Sequence, residues 1–221
     1  MALFGVNSIN MKNKAKGGAP RPYRQTVRAD AAAETGRRII DAFVELSGDL
    51  WFDELTLNEI AERAGVSVQS VIRRYGGKDG LISAAIEQIG ADFGARRAAR
   101  PGDVTGSIAG LFDIYEQHGD GVIRNLAQED RYPELRRITD FGRKEHRRLT
   151  AEVYSPWLSR LSAAASRQAL DALIVATDIY TWKLFRRDMG RSVAEARAAM
   201  MRLVNAVLVE HTGTPIAGAE S

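Results

Sequence analysis

The stretch of chain that decides the fold is LTLNEIAERAGVSVQSVIRRY, residues 55–75. Thr56 and Glu59 have the spacing of a capping box, in which each side chain satisfies a free amide at a helix start. Gly65 can adopt the left-handed backbone that ends this helix, and Ser67 is a natural N-cap for another. The stretch therefore predicts a helix-turn-helix whose second helix covers Val68 to Tyr75.

Apolar spacing predicts which faces of this unit are buried. Leu55 and Ile60 take the two hydrophobic-staple positions, and Val66 can fill the gap between the helices. Val71 and Tyr75 are one turn apart and can pack inward. A preceding helix is predicted over residues 34–47, and its apolar stripe is Ile39, Ala42, Phe43 and Leu46. A following helix is predicted from Lys78 to Ala95.

The remaining faces of the second helix carry side chains that can bind DNA. Gln69 can pair with adenine, and Arg73 and Arg74 can pair with guanine in a major groove. Lys78 begins the next helix, where free amides already favour a phosphate. The helix contains no acid, as a surface facing a polyanion requires. An arginine pair alone usually marks a solvated surface, but the combination with the glycine turn favours DNA binding.

Composition narrows the class of protein. The 221 residues are 45% hydrophobic and 27% charged, which fits one or two globular domains. Nearly every segment after residue 34 has helical periodicity, so we expect an all-α fold. The absence of cysteine excludes thiolate nucleophiles, disulfides and cysteine zinc sites. With no nucleophile–base pair or metal-ligand spacing, we expect no enzyme activity, no metal and no cofactor.

The charge distribution predicts a basic N-terminal arm over residues 1–33. The whole chain carries +3 while residues 1–28 carry +6, so the remainder carries −3. The arm would be flexible, either as a solubilising leader or as a segment that contacts phosphates or a minor groove. Its cations are Lys12, Lys14, Lys16, Arg21, Arg24 and Arg28. No apolar run approaches a bilayer span and no signal peptide is recognisable, so a cytoplasmic location is expected.

The remaining chain predicts a larger helical domain. Pro101 and Gly102 suggest a junction between a domain over residues 34–98 and one over residues 99–211, with a flexible tail over 212–221. Pro156 and Gly190 indicate further breaks. The helices are predicted over residues 106–118, 120–129, 134–154, 166–188 and 192–210.

Residues 39–43 and 55–81 resemble the DNA-binding domain of the TetR family of bacterial transcriptional regulators. The resemblance implies an N-terminal three-helix helix-turn-helix domain joined to a larger helical ligand-binding and dimerisation domain. It places Ser70 at a DNA-contacting position and Lys78 at a phosphate-binding position. Two residues depart from the family pattern: Ile72 replaces a phosphate-bonding tyrosine, and Trp51 stands where a glycine commonly ends the first helix. The predicted DNA-binding residues are Thr56, Ser67, Val68, Gln69, Ser70, Ile72, Arg73, Arg74, Tyr75 and Lys78.

The same resemblance assigns dimerisation to the last two long helices and a small-molecule pocket to the others. Apolar stripes support dimerisation independently, although such stripes can equally be monomer core. The stripe residues are Leu170, Leu173, Ile174, Thr177, Thr181, Leu184, Met200, Leu203, Val204, Val207 and Leu208. Candidate pocket residues, each of which can instead be core or surface, are Phe112, Tyr115, Phe141, Glu145, Trp157 and Tyr180.

The leading hypothesis is a homodimeric repressor that binds a palindromic operator in double-stranded DNA and is released by a small molecule. The alternatives are a DNA-binding regulator without an effector, a helical-bundle enzyme, and an interaction module that does not bind DNA. A membrane partner is not expected.

Overall fold

The computed structural model describes residues 21–96 and 100–213. Over these two ranges it is all-α, as predicted, with no strand. None of the helices found there combines the length and apolarity that crossing a lipid bilayer requires. The elements are α1 (Arg21–Asp49), α2 (Leu57–Ala64), α3 (Val68–Tyr75), α4 (Lys78–Arg96), α5 (Val104–Leu126), α6 (Pro133–Val153), α7 (Ser155–Leu158), α8 (Ala163–Ala176), α9 (Ile179–Lys183), a π-helix (Leu184–Asp188) and α10 (Val193–Thr212).

Two hydrophobic cores divide the molecule into a head, α1–α4, and a body, α5–α10. The head core contains the predicted stripe of α1 and the two staple residues Leu55 and Ile60, together with Val71 and Leu81. Leu135 of α6 also belongs to the head core, so the body supplies part of the head's packing. The body core is built around Phe112 and Trp182, both almost completely buried.

The first helix starts earlier than predicted. α1 begins at Arg21 instead of Glu34, so residues 21–33 are helical and not a flexible arm. Three alanines, residues 31–33, are strong helix formers, and Pro22 lies in the first turn, where its missing amide N–H breaks no helical hydrogen bond. The rest of the predicted arm, with Lys12, Lys14 and Lys16, lies outside the described residues.

The body contains one long helix where two were predicted. α5 continues through Gly119 and Gly121, so the predicted break between residues 118 and 120 is wrong. Both glycines allow close packing instead. A methyl group built on Gly119 would lie 2.5 Å from a ring carbon of Trp182, and one on Gly121 would lie 2.7 Å from the Cα of Gly48 on α1.

The predicted helix over residues 166–188 is instead divided into three elements. α8 ends at Ala176, where the Thr177 hydroxyl donates to the Leu173 carbonyl at 2.8 Å. The Asp178 carboxylate then accepts from the Tyr180 amide at 2.9 Å and begins α9. The chain continues as a π-helix to Asp188. Threonine and aspartate adjacent to each other thus close one helix and start the next.

Five of the predicted dimer-interface residues are buried inside the protomer, so they cannot contact a partner. They are Leu173, Thr177, Met200, Val204 and Leu208, each at most 1% exposed. The apolar stripes of α8 and α10 face each other and α5 in the body core, which explains the error. The other six predicted residues, Leu170, Ile174, Thr181, Leu184, Leu203 and Val207, are half-buried or exposed.

Candidate nucleic-acid interface

Local hydrogen bonds fix the angle between α2 and α3. Thr56 Oγ1 accepts from the Glu59 amide at 3.2 Å, and the Glu59 carboxylate accepts from the Thr56 amide at 2.8 Å, which confirms the capping box. Gly65 ends α2 in the left-handed conformation, with φ 65°. Ser67 begins α3 by accepting from the Ser70 amide at 3.3 Å. The predicted helix-turn-helix is confirmed at each of these positions.

One face of α3 packs against the head core. Val71 is completely buried, and Val66, Val68 and Tyr75 pack around it. The Tyr75 hydroxyl donates to the Gly36 carbonyl on α1 at 3.1 Å. Val68 and Tyr75 were also predicted to bind DNA, but these contacts direct much of each side chain toward the protein.

The opposite face of α3 is exposed and free of acids. Gln69 and Arg73 lie one turn apart on this face, and Ile72 between them is 40% exposed. A glutamine amide and a guanidinium on the same helix face are the two groups that recognise adenine and guanine by paired hydrogen bonds. This face can therefore present hydrogen-bonding groups to base edges.

Arg74 points toward α1 rather than lying beside Gln69 and Arg73. Its guanidinium lies close above Gly36, where a methyl group would be 2.5 Å from Nη2. It is also 5.8 Å from the centre of the Tyr75 ring. Because the side chain remains exposed, it places a positive charge at the boundary between α1 and α3.

The hydroxyl groups predicted to contact DNA already take part in helix capping. The Thr56 hydroxyl donates to the Glu59 carboxylate at 2.8 Å, and the hydroxyls of Ser67 and Ser70 lie 2.9 Å apart. The amide hydrogen bond from Thr56 holds the pKa of Glu59 below its usual range. Each hydroxyl has two lone pairs, so capping leaves hydrogen-bonding capacity at the exposed Thr56 and Ser67 and at the half-buried Ser70.

Lys78 begins α4, as predicted, but its ammonium group also contacts the loop before α2. Nζ donates to the Phe52 carbonyl at 2.6 Å and lies 4.6 Å from the centre of the Phe52 ring. Partial burial lowers the pKa of Lys78, while Asp53, Glu59 and Glu134 act in the opposite direction. An ammonium group has three N–H donors, so two remain after the contact with Phe52.

Two residues that sequence reasoning missed, Phe52 and Gln128, connect this lysine to the body. The Phe52 amide donates to Gln128 Oε1 at 3.1 Å, and both side chains are buried. The two residues are 76 positions apart, and neither forms part of a short motif. No local pattern in the sequence could have indicated their contact.

The six predicted pocket residues do not come together in one cavity. Phe112 and Tyr115 are buried in the body core, where the Tyr115 hydroxyl donates to the Thr177 carbonyl at 3.2 Å. Phe141 packs near Gly90 of α4, and Glu145 pairs with Arg148 at 2.9 Å. Trp157 lies beside Tyr154, and Tyr180 is 55% exposed. Phe112, Tyr115 and Trp157 belong to the packing of the body core, and the other three lie apart from them, which periodicity within single helices could not reveal.

A groove lies instead on the body surface between α8 and α10. Its lining includes three of the predicted interface residues, Thr181, Leu203 and Val207. Val175, 66% exposed, lies in the same groove. In the ranges that the structure describes, no three histidine or acidic side chains are arranged to hold a metal ion.

Comparisons with known proteins agree with this arrangement. Residues 39–85, which contain most of the head, match the family model described as bacterial regulatory proteins, tetR family. The chain is 29% identical over 168 residues to the HTH-type transcriptional regulator BetI 1 of Chromohalobacter salexigens, covering 73% of this chain and 70% of that protein. The fold is similar to the crystal structure of a transcriptional regulator from Rhodococcus sp. Rha1, with a TM-score of 0.64, 15% identity, and coverage of 81% of this chain and 98% of that one. Residues 39–85 therefore form a DNA-binding segment of the tetR family of bacterial regulatory proteins, and the chain as a whole is similar to transcriptional regulators of this kind.

Proposed function

We propose that this DNA-binding regulator is a repressor that reads a palindromic operator with the exposed face of α3. The observation that carries the proposal is the acid-free face on which Gln69 and Arg73 lie one turn apart. Arg73 would pair with a guanine, and Gln69 would pair with an adenine. Ile72 would add an apolar contact to a thymine methyl group.

Phosphate contacts would set the position of α3 in the groove. Lys78 lies against the loop before α2, and Arg74 lies against α1. Ser67, Ser70 and Thr56 would donate hydrogen bonds to phosphate oxygens near the helix starts, where free amides also favour an anion, and the Thr56 hydroxyl would exchange the Glu59 carboxylate for the phosphate. Such contacts carry little sequence information but make affinity strongly dependent on salt.

A homodimer would supply the two copies of α3 that a palindrome requires. We propose that two protomers associate through the α8–α10 groove, whose lining of Val175, Ala172, Leu203, Ala206 and Val207 is mostly apolar. Asp171 and Glu210 are the two acidic residues of this lining. An apolar patch of this kind on a protein surface commonly marks an interface. For one-turn half-site spacing, the two α3 helices would stand roughly 34 Å apart.

We further propose that a small molecule bound by the body weakens operator binding. The body reaches the head directly, because α5 packs on α1 and α6 packs on α4. A ligand that prefers a body conformation with another head spacing would shift the dimer away from DNA. To shift the two conformations from about 1:99 to about 99:1, the ligand must bind one of them more tightly than the other by roughly 5.5 kcal/mol.

The test of DNA reading starts with selection of binding sites from a random double-stranded library. We expect enrichment of a palindromic sequence, and gel shifts with DNA flanking the protein's own gene provide a second route to the site. Arg73→Ala should reduce the binding free energy for the selected duplex by about 1–3 kcal/mol and relax the preference at one base pair. Arg167→Ala, an exposed arginine of α8, is the control and should bind normally. Equal affinities of wild type and Arg73→Ala for selected and random duplexes would show that Arg73 does not read bases.

Sedimentation equilibrium tests the dimer. We expect twice the protomer mass for the wild type and a protomer mass for Leu203→Glu, which would bury a carboxylate at the interface. Val122→Glu, at an exposed position of α5, should remain dimeric. A reporter gene placed behind the selected operator then distinguishes repression from activation, and a ligand screen on this reporter tests for an effector.

A further inference from the structure

The loop between α1 and α2, residues 50–56, lies between the DNA-facing head and the body. The Arg124 guanidinium, near the end of α5, donates to the carbonyl of Gly48 on α1, just before the loop. The Phe52 ring packs against Tyr132, with ring centres 4.9 Å apart. The body therefore holds this loop by both a polar and an aromatic contact.

Gln128 forms the central link in these contacts. Its side-chain carbonyl accepts from the Phe52 amide at 3.1 Å, and its amide group donates to the Arg124 carbonyl at 3.1 Å. The residue is only 7% exposed. Both ends of the Gln128 side-chain amide are thus used, one on the loop and the other on the last turn of α5.

The same Phe52 also holds the Lys78 ammonium group. Its carbonyl accepts from Nζ, and its ring lies under the positive charge. A lysine side chain normally loses much rotamer freedom when it binds a phosphate, and a fixed partner removes part of that loss in advance. From this geometry we infer that Gln128 is a positioning residue. By fixing Phe52, it holds the Lys78 ammonium group in the position in which that group binds a DNA phosphate. The inference rests on the proposed function of α3 and Lys78.

The contact chain also identifies a route from the body to DNA affinity. Gln128 belongs to the turn between α5 and α6, the two body helices that pack on the head. Any displacement of this turn relative to α1 would alter the Phe52 amide contact before it altered α3 itself. The body would then regulate phosphate binding separately from base reading.

A double-mutant cycle on the selected duplex tests the inference. Lys78→Met should lower affinity about tenfold and reduce the salt slope by about 0.9, the value for one phosphate. In Gln128→Met, the methionine side chain is about as long as glutamine but forms no hydrogen bonds. The variant should lower affinity roughly two- to tenfold, because the Lys78 side chain must then be ordered when DNA binds. In the Lys78→Met background, Gln128→Met should have no further effect.

A measurement without DNA separates positioning from general destabilisation. Competitive acetylation of lysines, analysed by mass spectrometry, should show Lys78 becoming more reactive in Gln128→Met relative to Lys144, an exposed lysine of α6. Gln128→Glu retains an acceptor for the Phe52 amide and should restore the wild-type ratio. Gln88→Met removes a comparable hydrogen bond, to Asp41 at 2.6 Å, and should change neither readout.

The outcomes are distinct. An equal loss of affinity from Gln128→Met in both backgrounds, or an unchanged Lys78 reactivity in a folded Gln128→Met variant, would overturn the inference. If Gln128→Met does not fold, the Gln128→Glu variant decides. A Lys78 in this variant that reacts as fast as Lys78 in the unfolded chain would also overturn the inference. Failure of the wild type to select any DNA sequence would contradict the proposed function, while the acetylation result would still decide whether Gln128 positions Lys78.

Discussion

The head and the body of this protein are shaped by contacts of very different range along the chain. In the head, α2 and α3 each have only eight residues, and their capping bonds join residues three apart, such as Thr56 with Glu59. In the body, the Trp182 indole donates to Glu116 at 2.7 Å, across 66 positions. Arg187 binds Asp120 at 2.8 Å across 67 positions.

This difference indicates where each region is sensitive to change. Helices of eight residues are too short to be stable alone, so the head depends on caps, turns and a small core that act together. The body helices are positioned by distant partners, with Trp182 at the centre. A change near Trp182 should therefore disturb several elements, whereas a change at a cap of the head should remain local.

The largest effect is expected from Trp182→Ala. The side chain is completely buried, and its removal leaves Glu116 without an indole donor and Arg187 without the ring 4.5 Å away. We expect a loss of about 3–5 kcal/mol in the free energy of unfolding, measured by urea denaturation. Trp51→Ala, at a position 47% exposed in the head, should change it by less than about 0.5 kcal/mol. Similar losses for the two variants would contradict the central position of Trp182.

Two glycine substitutions in long body helices should have opposite signs. Gly119→Ala places a methyl group 2.5 Å from the Trp182 ring, and the overpacking should outweigh the helix-propensity gain, with a net loss of about 1–2 kcal/mol. Gly142→Ala, in α6, meets no atom within 4 Å and should gain about 0.5–1 kcal/mol. Thermal unfolding of both variants measures the difference. A stabilising Gly119→Ala would mean that Trp182 moves easily, and the close-packing explanation for Gly119 would be wrong.

The contrast in range also explains what could be predicted from the sequence. The capping box at Thr56 and the left-handed turn at Gly65 are encoded within a few residues, so the limits of α2 and α3 were predicted correctly. In contrast, Gly119 lies inside α5 and packs against Trp182, 63 positions later, and the continuity of the helix through this glycine was not predicted. The end of α8 at Thr177 had a local signal, the Thr177-Asp178 pair, which periodicity alone overlooks.

The candidate DNA site divides in the same way. The exposure of Gln69 and Arg73 followed from recognising Val71 and Tyr75 as the inward face of the same helix. The position of Lys78 at a helix start was also visible in the sequence. Its contact with Phe52, and the link from Phe52 to Gln128, required the body to be folded against the head.

A substitution at Gly65 tests whether the head is shaped locally. Its φ of 65° is unfavourable for a residue with a side chain, so Gly65→Ala should lower the free energy of unfolding by about 1–2 kcal/mol. Because the strain is confined to the turn, amides in α5 and α10 should not exchange faster than global unfolding of the variant requires. The wild type provides the same comparison. Faster exchange confined to the body would contradict local shaping of the head.

The smallest effect is a pH dependence that belongs to the body. Hydrogen bonds from Arg186 and Trp182 hold the pKa of Glu116 below its ordinary value of 4.5. The folded protein thus binds this proton less tightly than the unfolded chain does. The resulting stabilisation is complete above pH 4.5 and is lost as the pH falls through the lower folded pKa.

Glu116→Gln removes this titration but keeps an acceptor for the Trp182 indole and for Arg186. We expect the variant to be less stable than the wild type at pH 7 by roughly 1 kcal/mol, the contribution of a charge-assisted hydrogen bond at a partly exposed site. The difference should shrink as the pH falls below 4.5, because the wild-type carboxyl is then protonated first in the unfolded chain and, at lower pH, in the folded protein as well. Urea unfolding at several pH values measures it. A difference that stays constant across this pH range would show that Glu116 acts through shape alone, and the body would then depend on its long-range packing without its long-range charge.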